Sequence, residues 1–168
     1  EQPNKQVFFL TNSSGRTRDD YVDKIRKFGF KTCTKEMIYG SAYTTARYVN
    51  EKYPEVKKVR VVGMESIKKE MSDVGIKSCG AEDDEGYSKG KSMSLDEFET
   101  YKLDPEVKAV VVGLDTSYTY SKLCIASLYI HTGGARFIAT NDDAYDMVNG
   151  RRMPGAGSMV QSIKYTLG

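Results

Sequence analysis

The sequence first excludes several classes of protein through what it lacks. Its 168 residues contain no apolar run near the roughly 20 residues that a helix needs to span a bilayer. The N-terminal residues EQPNKQ form neither the apolar core of a signal peptide nor a targeting amphipathic helix. A membrane is therefore not expected as a partner.

The sequence also has few cysteines and little net charge. Cys33, Cys79 and Cys124 are odd in number and lack Cys-x-x-Cys spacing, so neither a disulfide framework nor a zinc site is expected. A reducing compartment follows, with the cytoplasm as the default. The 25 basic and 23 acidic residues give a net charge of +2 and form no basic stripe, so nucleic acid is not an expected partner.

The first stretch that carries possible chemistry runs from Lys5 to Gly29. Val7 to Leu10 are all apolar, which is typical of a strand buried on both faces of a parallel sheet. Thr17, followed three residues later by Asp20, resembles a helix capping box. Apolar residues then recur at helical spacing, namely Tyr21, Val22, Ile25 and Phe28. The pattern predicts a strand, a polar turn and an amphipathic helix.

The polar turn, Thr11 to Ser14, would lie at the carboxyl end of its strand, where open parallel sheets bind ligands. Its small polar side chains and the N–H groups of the following helix suit an anion such as phosphate. The same residue types also form turns that bind nothing, because they make local hydrogen bonds. The residues alone leave both interpretations open.

The middle of the chain predicts an α/β layer. After a helix over Gly40 to Lys52, residues 54–63 and 105–113 each form a lysine-flanked, β-branched strand that ends in Gly before a helix. The acidic residues at 83–85 predict a solvated loop, since the order of EF-hand calcium ligands is absent. A short helix capped by Ser94 should follow.

Two further helices are predicted in the last third. The first spans about residues 120–131, with one face formed by Tyr120, Leu123, Cys124, Ser127, Leu128 and His131. His131, the only histidine, is assigned a structural role, because a helix C-terminus favours a charged imidazole. Gly155 to Ser158 open the second helix, either as a tight entry turn or as a phosphate site, although the P-loop lysine is missing.

Six motifs together resemble a known family. The first, FFLTNSSGRTR at 8–18, is similar to the second motif of haloacid dehalogenase-type phosphatases, in the branch that contains 4-nitrophenylphosphatase, phosphoglycolate phosphatase and pyridoxal phosphate phosphatase. Five more follow in family order and cover nearly the whole chain: GSAYTTARY at 40–48, VVGMESIKKEMSDVGI at 61–76, VKAVVVGLD at 107–115, FIATNDD at 137–143 and GRRMPGAGSMV at 150–160.

The resemblance implies an α/β fold with a partial Rossmann-like segment of the catalytic core at residues 1–53 and a C2-type α/β cap domain at 54–168. The family hydrolyses small phosphate monoesters with Mg²⁺ through an aspartyl-phosphate intermediate. Its nucleophile motif DxD, its GKP-like lysine motif and its metal motif GDxxxTD are not found here. We therefore expect no catalytic residue and no metal ligand in this chain, Mg²⁺ only in a longer parent protein, and an inactive isolated chain.

The resemblance also assigns site residues. It gives phosphate binding to Thr11, Asn12 and Ser13, and substrate reading to the loop of Asp115, Thr116, Ser117 and Tyr118. Several relatives have His where this chain has Ser117, and a serine cannot stack on a substrate ring.

Three functions remain open at this stage: a piece of an active phosphatase, a naturally truncated cap that serves as a binding or dimerisation module, and an unrelated phosphate-binding domain. Caps of relatives form homodimer contacts, and the β-branched strands at 59–62 and 107–112 are apolar. A homodimer through the cap is therefore predicted.

Overall fold

The computed structural model describes residues 5–84 and 93–168, which form six α-helices, eight β-strands and two short 3₁₀ turns. The strands are β1 Phe9–Thr11, β2 Ile38–Gly40, β3 Lys58–Val62, β4 Lys77–Cys79, β5 Val107–Val112, β6 Arg136–Ala139, β7 Tyr145–Val148 and β8 Arg151–Pro154. The helices are α1 Arg18–Lys27, α2 Ser41–Lys52, α3 Glu65–Asp73, α4 Leu95–Glu99, α5 Tyr120–His131 and α6 Ala156–Leu167. The predicted α/β class is confirmed.

A four-stranded parallel sheet in the order β4-β3-β5-β6 forms the centre of the molecule. Alternate residues of β3 and β5 point to opposite faces, so Val59 and Val61 pack towards α2 and α3, whereas Val110 and Val112 pack towards α5 and α6. Both faces are covered, which explains why these strands are continuously apolar. The division of the chain at residues 53 and 54 stays a prediction.

The two inner strands cannot supply a dimer contact. β3 pairs with β4 and β5, β5 pairs with β3 and β6, and helices cover both of their faces. The apolar character of the strands at 59–62 and 107–112 is therefore explained by burial within this sheet, and it gives no support of its own to dimerisation. Homodimerisation itself stays a prediction.

The first strand is also less buried than its sequence predicts. β1 pairs in parallel with β2 alone among the described residues, and α1 packs on one face of this pair through Val22. Phe9 and Ile38 contact that helix, whereas Phe8 and Leu10 stay exposed. Burial on both faces was the wrong prediction, because the second face has no covering layer in the described part of the chain.

Two further predictions need correction. Asp84 was assigned to a solvated loop, but its side chain is 7% exposed and forms an ion pair with buried Arg60. Glu85 lies outside the described residues.

The buried face of α5 also differs from the predicted one. In α5 the buried side chains are Ser121, Ile125, Ala126, Ser127 and Tyr129, while Tyr120 and His131 are exposed. The apolar residues of α5 are spread over all sides of the helix, so its sequence does not specify which face is buried.

The cap predicted at Ser94 is confirmed, since Ser94 caps α4 in a capping box with Glu97. Asn149 and Gly150 turn the β7–β8 hairpin with positive φ angles of 49° and 77°. Among the described residues, no helix combines the length and apolar character that crossing a membrane requires.

Candidate functional site

Strands of two separate sheets end beside one cavity. The segment that follows β1 of the two-stranded sheet meets there the segments that follow β5 and β6, whose carboxyl ends lie at one edge of the four-stranded parallel sheet. We call this space of about 200 Å³ the strand-end cavity; it is lined by Thr11, Asn12, Ser13, Ser14, Leu114, Asn141, Asp143, Asp146 and Ala156. All three residues predicted to bind phosphate therefore lie on one wall.

The turn after β1 is organised by its own hydroxyl groups. Thr11 Oγ1 accepts a hydrogen bond from the Ser13 backbone N–H at 3.2 Å, and Ser13 Oγ accepts one from the Gly15 N–H at 3.3 Å. A hydroxyl that accepts in this way still has its own O–H to donate. Thr11 and Ser13 are thus fixed by the backbone and keep a donor for an anionic ligand.

Ser14 joins this turn to the central sheet. It is 1% exposed, its Oγ accepts a hydrogen bond from the Leu114 N–H at 3.3 Å, and its carbonyl accepts one from the Ser66 hydroxyl. Gly113 allows this approach, because an added Cβ would lie 2.9 Å from Ser14 Oγ. The sequence places Ser14 in the turn but gives no sign of this long-range contact.

A second wall of the cavity, formed by Asn141, Asp143 and Asp146, was not predicted as a site. Asn141 Nδ2 donates to the Asn12 carbonyl at 2.5 Å and lies 3.4 Å from Asp143 Oδ2. Asp146, on β7, lines the same cavity. Asn141 and Asp143 belong to the FIATNDD motif. This motif is found in the sequence, but no role was assigned to its residues.

The loop predicted to read the substrate does not line the strand-end cavity. Asp115 is buried, and its carboxylate accepts hydrogen bonds from the Ser117 N–H at 2.8 Å and from Lys122 Nζ at 2.7 Å. Tyr118 bonds Ser162 through its hydroxyl at 2.7 Å, and burial raises the pKa of Tyr118. Asp115 and Tyr118 therefore anchor the loop, whereas Thr116 and Ser117 are exposed at its tip.

The glycines that begin α6 form a tight entry turn. A Cβ on Gly155 would lie 2.3 Å from the Asp143 carbonyl oxygen, and one on Gly157 would lie 2.7 Å from that of Asp142. The Gly157 N–H already donates to the Asp143 carbonyl at 2.9 Å. The Gly155 N–H likewise donates to the Ala144 carbonyl at 3.1 Å, so the N–H groups of both glycines are used within the chain.

Acidic side chains are few around the cavity. Within residues 5–84 and 93–168, no three His, Cys, Asp or Glu side chains come close enough together to hold a metal ion. The carboxylates of Asp143 and Asp146 line the cavity, but its other lining residues are uncharged. A cation that balances a bound phosphate must therefore come from outside the cavity lining described here.

Residues 1–77 match the model of the haloacid dehalogenase-like hydrolases. The chain is 34% identical over 166 residues to 4-nitrophenylphosphatase of Schizosaccharomyces pombe, covering 98% of this chain and 54% of that protein. It is 38% identical over 163 residues to phosphoglycolate phosphatase 2 of Arabidopsis thaliana, covering 95% of this chain and 52% of that protein. The chain thus spans about half the length of these relatives.

A solved structure shows the same architecture. The glycerol phosphate phosphatase from Mycobacterium tuberculosis, determined in complex with magnesium, superposes with a TM-score of 0.75 at 27% sequence identity. The match covers 99% of this chain and 44% of that one.

Proposed function

We propose that the chain forms part of a haloacid dehalogenase-like phosphatase that hydrolyses small phosphate monoesters. One observation carries this proposal: Thr11, Asn12 and Ser13 line a cavity at the carboxyl ends of β1, β5 and β6. In this proposal the Thr11 and Ser13 hydroxyls donate to phosphoryl oxygens of the ester, because their hydrogen bonds to the backbone leave the O–H groups available.

The segment 54–168 is proposed to act as the cap over that site. Leu114, Asn141 and Asp146 belong to this segment and line the same cavity as the turn from Thr11 to Ser14, which we call the phosphate turn. We propose that Thr116 and Ser117 contact the leaving group of the ester, since they are exposed on a loop that Asp115 and Tyr118 hold in place.

The remaining parts of the proposal concern the whole protein. Hydrolysis of an inert phosphate ester requires a nucleophile and charge stabilisation, and we propose that a longer protein provides these together with Mg²⁺. A cytoplasmic location and a homodimer formed through residues 54–168 complete the proposal. Support for the location comes from the unpaired cysteine pattern, since Cys33, Cys79 and Cys124 are free thiols.

The test compares the isolated chain with the longer protein encoded by its reading frame. We expect hydrolysis of 4-nitrophenyl phosphate with Mg²⁺ by the longer protein and none by the isolated chain. Thr11→Ala should lower the longer protein's activity, whereas Thr44→Ala is the matched control, because Thr44 bonds only helix carbonyls of Gly40 and Ser41.

Turnover by the isolated chain that follows its elution peak and disappears in Thr11→Ala would contradict the proposed division of labour. A reading frame without DxD and GDxxxTD motifs would instead favour the truncated binding or dimerisation module.

A further inference from the structure

We infer that Asp146 makes the strand-end cavity select phosphate esters whose leaving group carries hydroxyl or ammonium groups, and disfavour esters whose leaving group carries a carboxylate. This inference rests on the proposed function, because it assumes that the cavity receives the ester. It concerns one wall of the cavity, formed by Asn141, Asp143 and Asp146.

That wall presents hydrogen-bond acceptors. The only side-chain donor on it, Asn141 Nδ2, is already used: it donates to the Asn12 carbonyl at 2.5 Å and lies near Asp143 Oδ2. This bond fixes the orientation of the amide, and it leaves Asn141 Oδ1 buried without a hydrogen-bond partner in the described part of the chain. The acceptors on this wall that a ligand can reach are the carboxylates of Asp143 and Asp146, so a ligand group there must donate rather than accept.

Charge strengthens the same preference. Neither Asp143 nor Asp146 forms an ion pair among the described residues, although Asp142, beside them in sequence, is paired with Lys164 at 3.7 Å. Two uncompensated carboxylates repel a third one on a ligand. Hydroxyl and ammonium groups instead donate to them, and an ammonium also gains from their charge.

Asp146 is the better position for a test. Asp143 is bound into the fold, because its backbone carbonyl accepts from the Gly157 N–H and its side chain lies near Asn141. Asp146 is exposed on β7, opposite Met153 of the hairpin, so neutralising it should not disturb the core. Asp142→Asn is the matched control: it removes the same charge nearby, from a residue that binds Gln161 and does not line the cavity.

The experiment measures kcat/KM of the longer protein for two esters. One is 2-phosphoglycolate, which carries a carboxylate next to the ester, and the other is glycerol 3-phosphate, which carries hydroxyl groups. Asp146→Asn should raise the ratio of 2-phosphoglycolate to glycerol 3-phosphate hydrolysis by roughly three- to tenfold, as expected for removing one partly solvated charge. Asp146→Lys should raise this ratio further, and Asp142→Asn should leave it unchanged.

The outcomes separate the two proposals. Turnover of both esters with the same ratio in Asp146→Asn, Asp146→Lys and the unaltered protein would overturn the role of Asp146 while leaving the phosphatase assignment intact. An equal rise in Asp142→Asn would also overturn it, because the effect would then be one of net charge. No turnover of any ester would refute the proposed function, and the inference with it.

Discussion

The carboxylate of Glu70 accepts two hydrogen bonds from Arg18, one from its backbone N–H at 2.7 Å and one from Nε at 2.9 Å. Arg18 begins α1, four residues after the turn from Thr11 to Ser14, and Glu70 lies on α3 with its side chain 1% exposed. The Arg18 guanidinium also stacks over the Tyr43 ring at 3.6 Å. The contact between Arg18 and Glu70 therefore joins α1 to α3, which packs on one face of the central sheet.

Removing the Glu70 carboxylate should destabilise the protein strongly. Glu70→Ala leaves the Arg18 N–H without its acceptor in a buried place, and breaking a buried ion pair costs about 3 kcal/mol or more. Urea unfolding of both proteins measures the difference. Glu51→Ala is the matched control, since Glu51 pairs with Arg47 on an exposed helix surface and should change stability by less than about 0.5 kcal/mol. Equal losses in the two variants would contradict this account.

A second buried ion pair should show strong coupling. Arg60 donates to both oxygens of Asp84 at 2.6 Å, and Tyr101 donates to Asp84 Oδ1 at 2.5 Å. Burial, with this bond to Asp84, raises the pKa of Tyr101. Arg60→Met alone would leave the Asp84 carboxylate buried and unpaired, at a cost of about 3–5 kcal/mol.

The double variant Arg60→Met/Asp84→Leu should lose less stability than the sum of the single variants, because it leaves no unpaired charge behind. Free energies of unfolding for the four proteins form a double-mutant cycle that measures the coupling. Additive losses would show that Arg60 and Asp84 do not depend on each other.

The cap of α1 predicts a dependence of stability on pH. Asp20 Oδ2 accepts from the Thr17 hydroxyl at 2.7 Å and from the Thr17 N–H at 2.8 Å, and these bonds lower the pKa of Asp20 below its ordinary value of 3.8. A lowered pKa in the folded state means that the ionised carboxylate stabilises the fold. This stabilisation is complete above pH 3.8 and is lost as the pH falls through the lowered pKa.

Asp20→Asn should therefore be less stable than the unaltered protein at pH 7, and the difference should shrink below pH 3.8. Asp23→Asn, on the exposed side of the same helix, is the control. Thr17→Ala removes the capping hydroxyl and should cost about 1 kcal/mol at pH 7. Chemical unfolding at a series of pH values gives these differences; a difference for Asp20→Asn that is constant down to pH 2 would contradict the role of the carboxylate.

Features that depend on neighbours along the chain were predictable from sequence, and features that depend on the three-dimensional arrangement were not. The capping box at Thr17 and the turn at Asn149 and Gly150 follow from local chemistry, and the structure has both. The pairing of Arg60 with Asp84 joins residues 24 positions apart, and nothing in the acidic run at 83–85 distinguishes the carboxylate that becomes buried.

The candidate site follows the same rule. Thr11, Asn12 and Ser13 could be placed at a strand end because the strand and turn are contiguous in sequence. Their partner Asn141 lies 129 positions from Asn12. That contact depends on how the sheet that contains β1 lies beside the sheet that contains β6, which no local pattern specifies.

The last prediction separates the phosphate turn from the exposed loop by kinetics in the longer protein. Thr11→Ala removes a donor proposed to bind a charged phosphoryl oxygen, a contact worth roughly 1.5–3 kcal/mol, so kcat/KM should fall about ten- to a hundredfold for every ester. All esters share that part of the transition state, and discrimination between them should persist.

Ser117→His should instead reorder the substrates. The Ser117 side chain is exposed, and only its backbone N–H is bound, by Asp115, so the substitution should leave the fold intact. An imidazole at this position offers a flat face, and aromatic phosphate esters should therefore gain most relative to aliphatic ones. Measuring kcat/KM for 4-nitrophenyl phosphate and glycerol 3-phosphate in both variants makes the comparison. Thr11→Ala is expected to change kcat/KM for both esters by the same factor. If Ser117→His did the same, the loop would not contact the leaving group. The wall formed by Asn141, Asp143 and Asp146 would then be the part of residues 54–168 left to contact it.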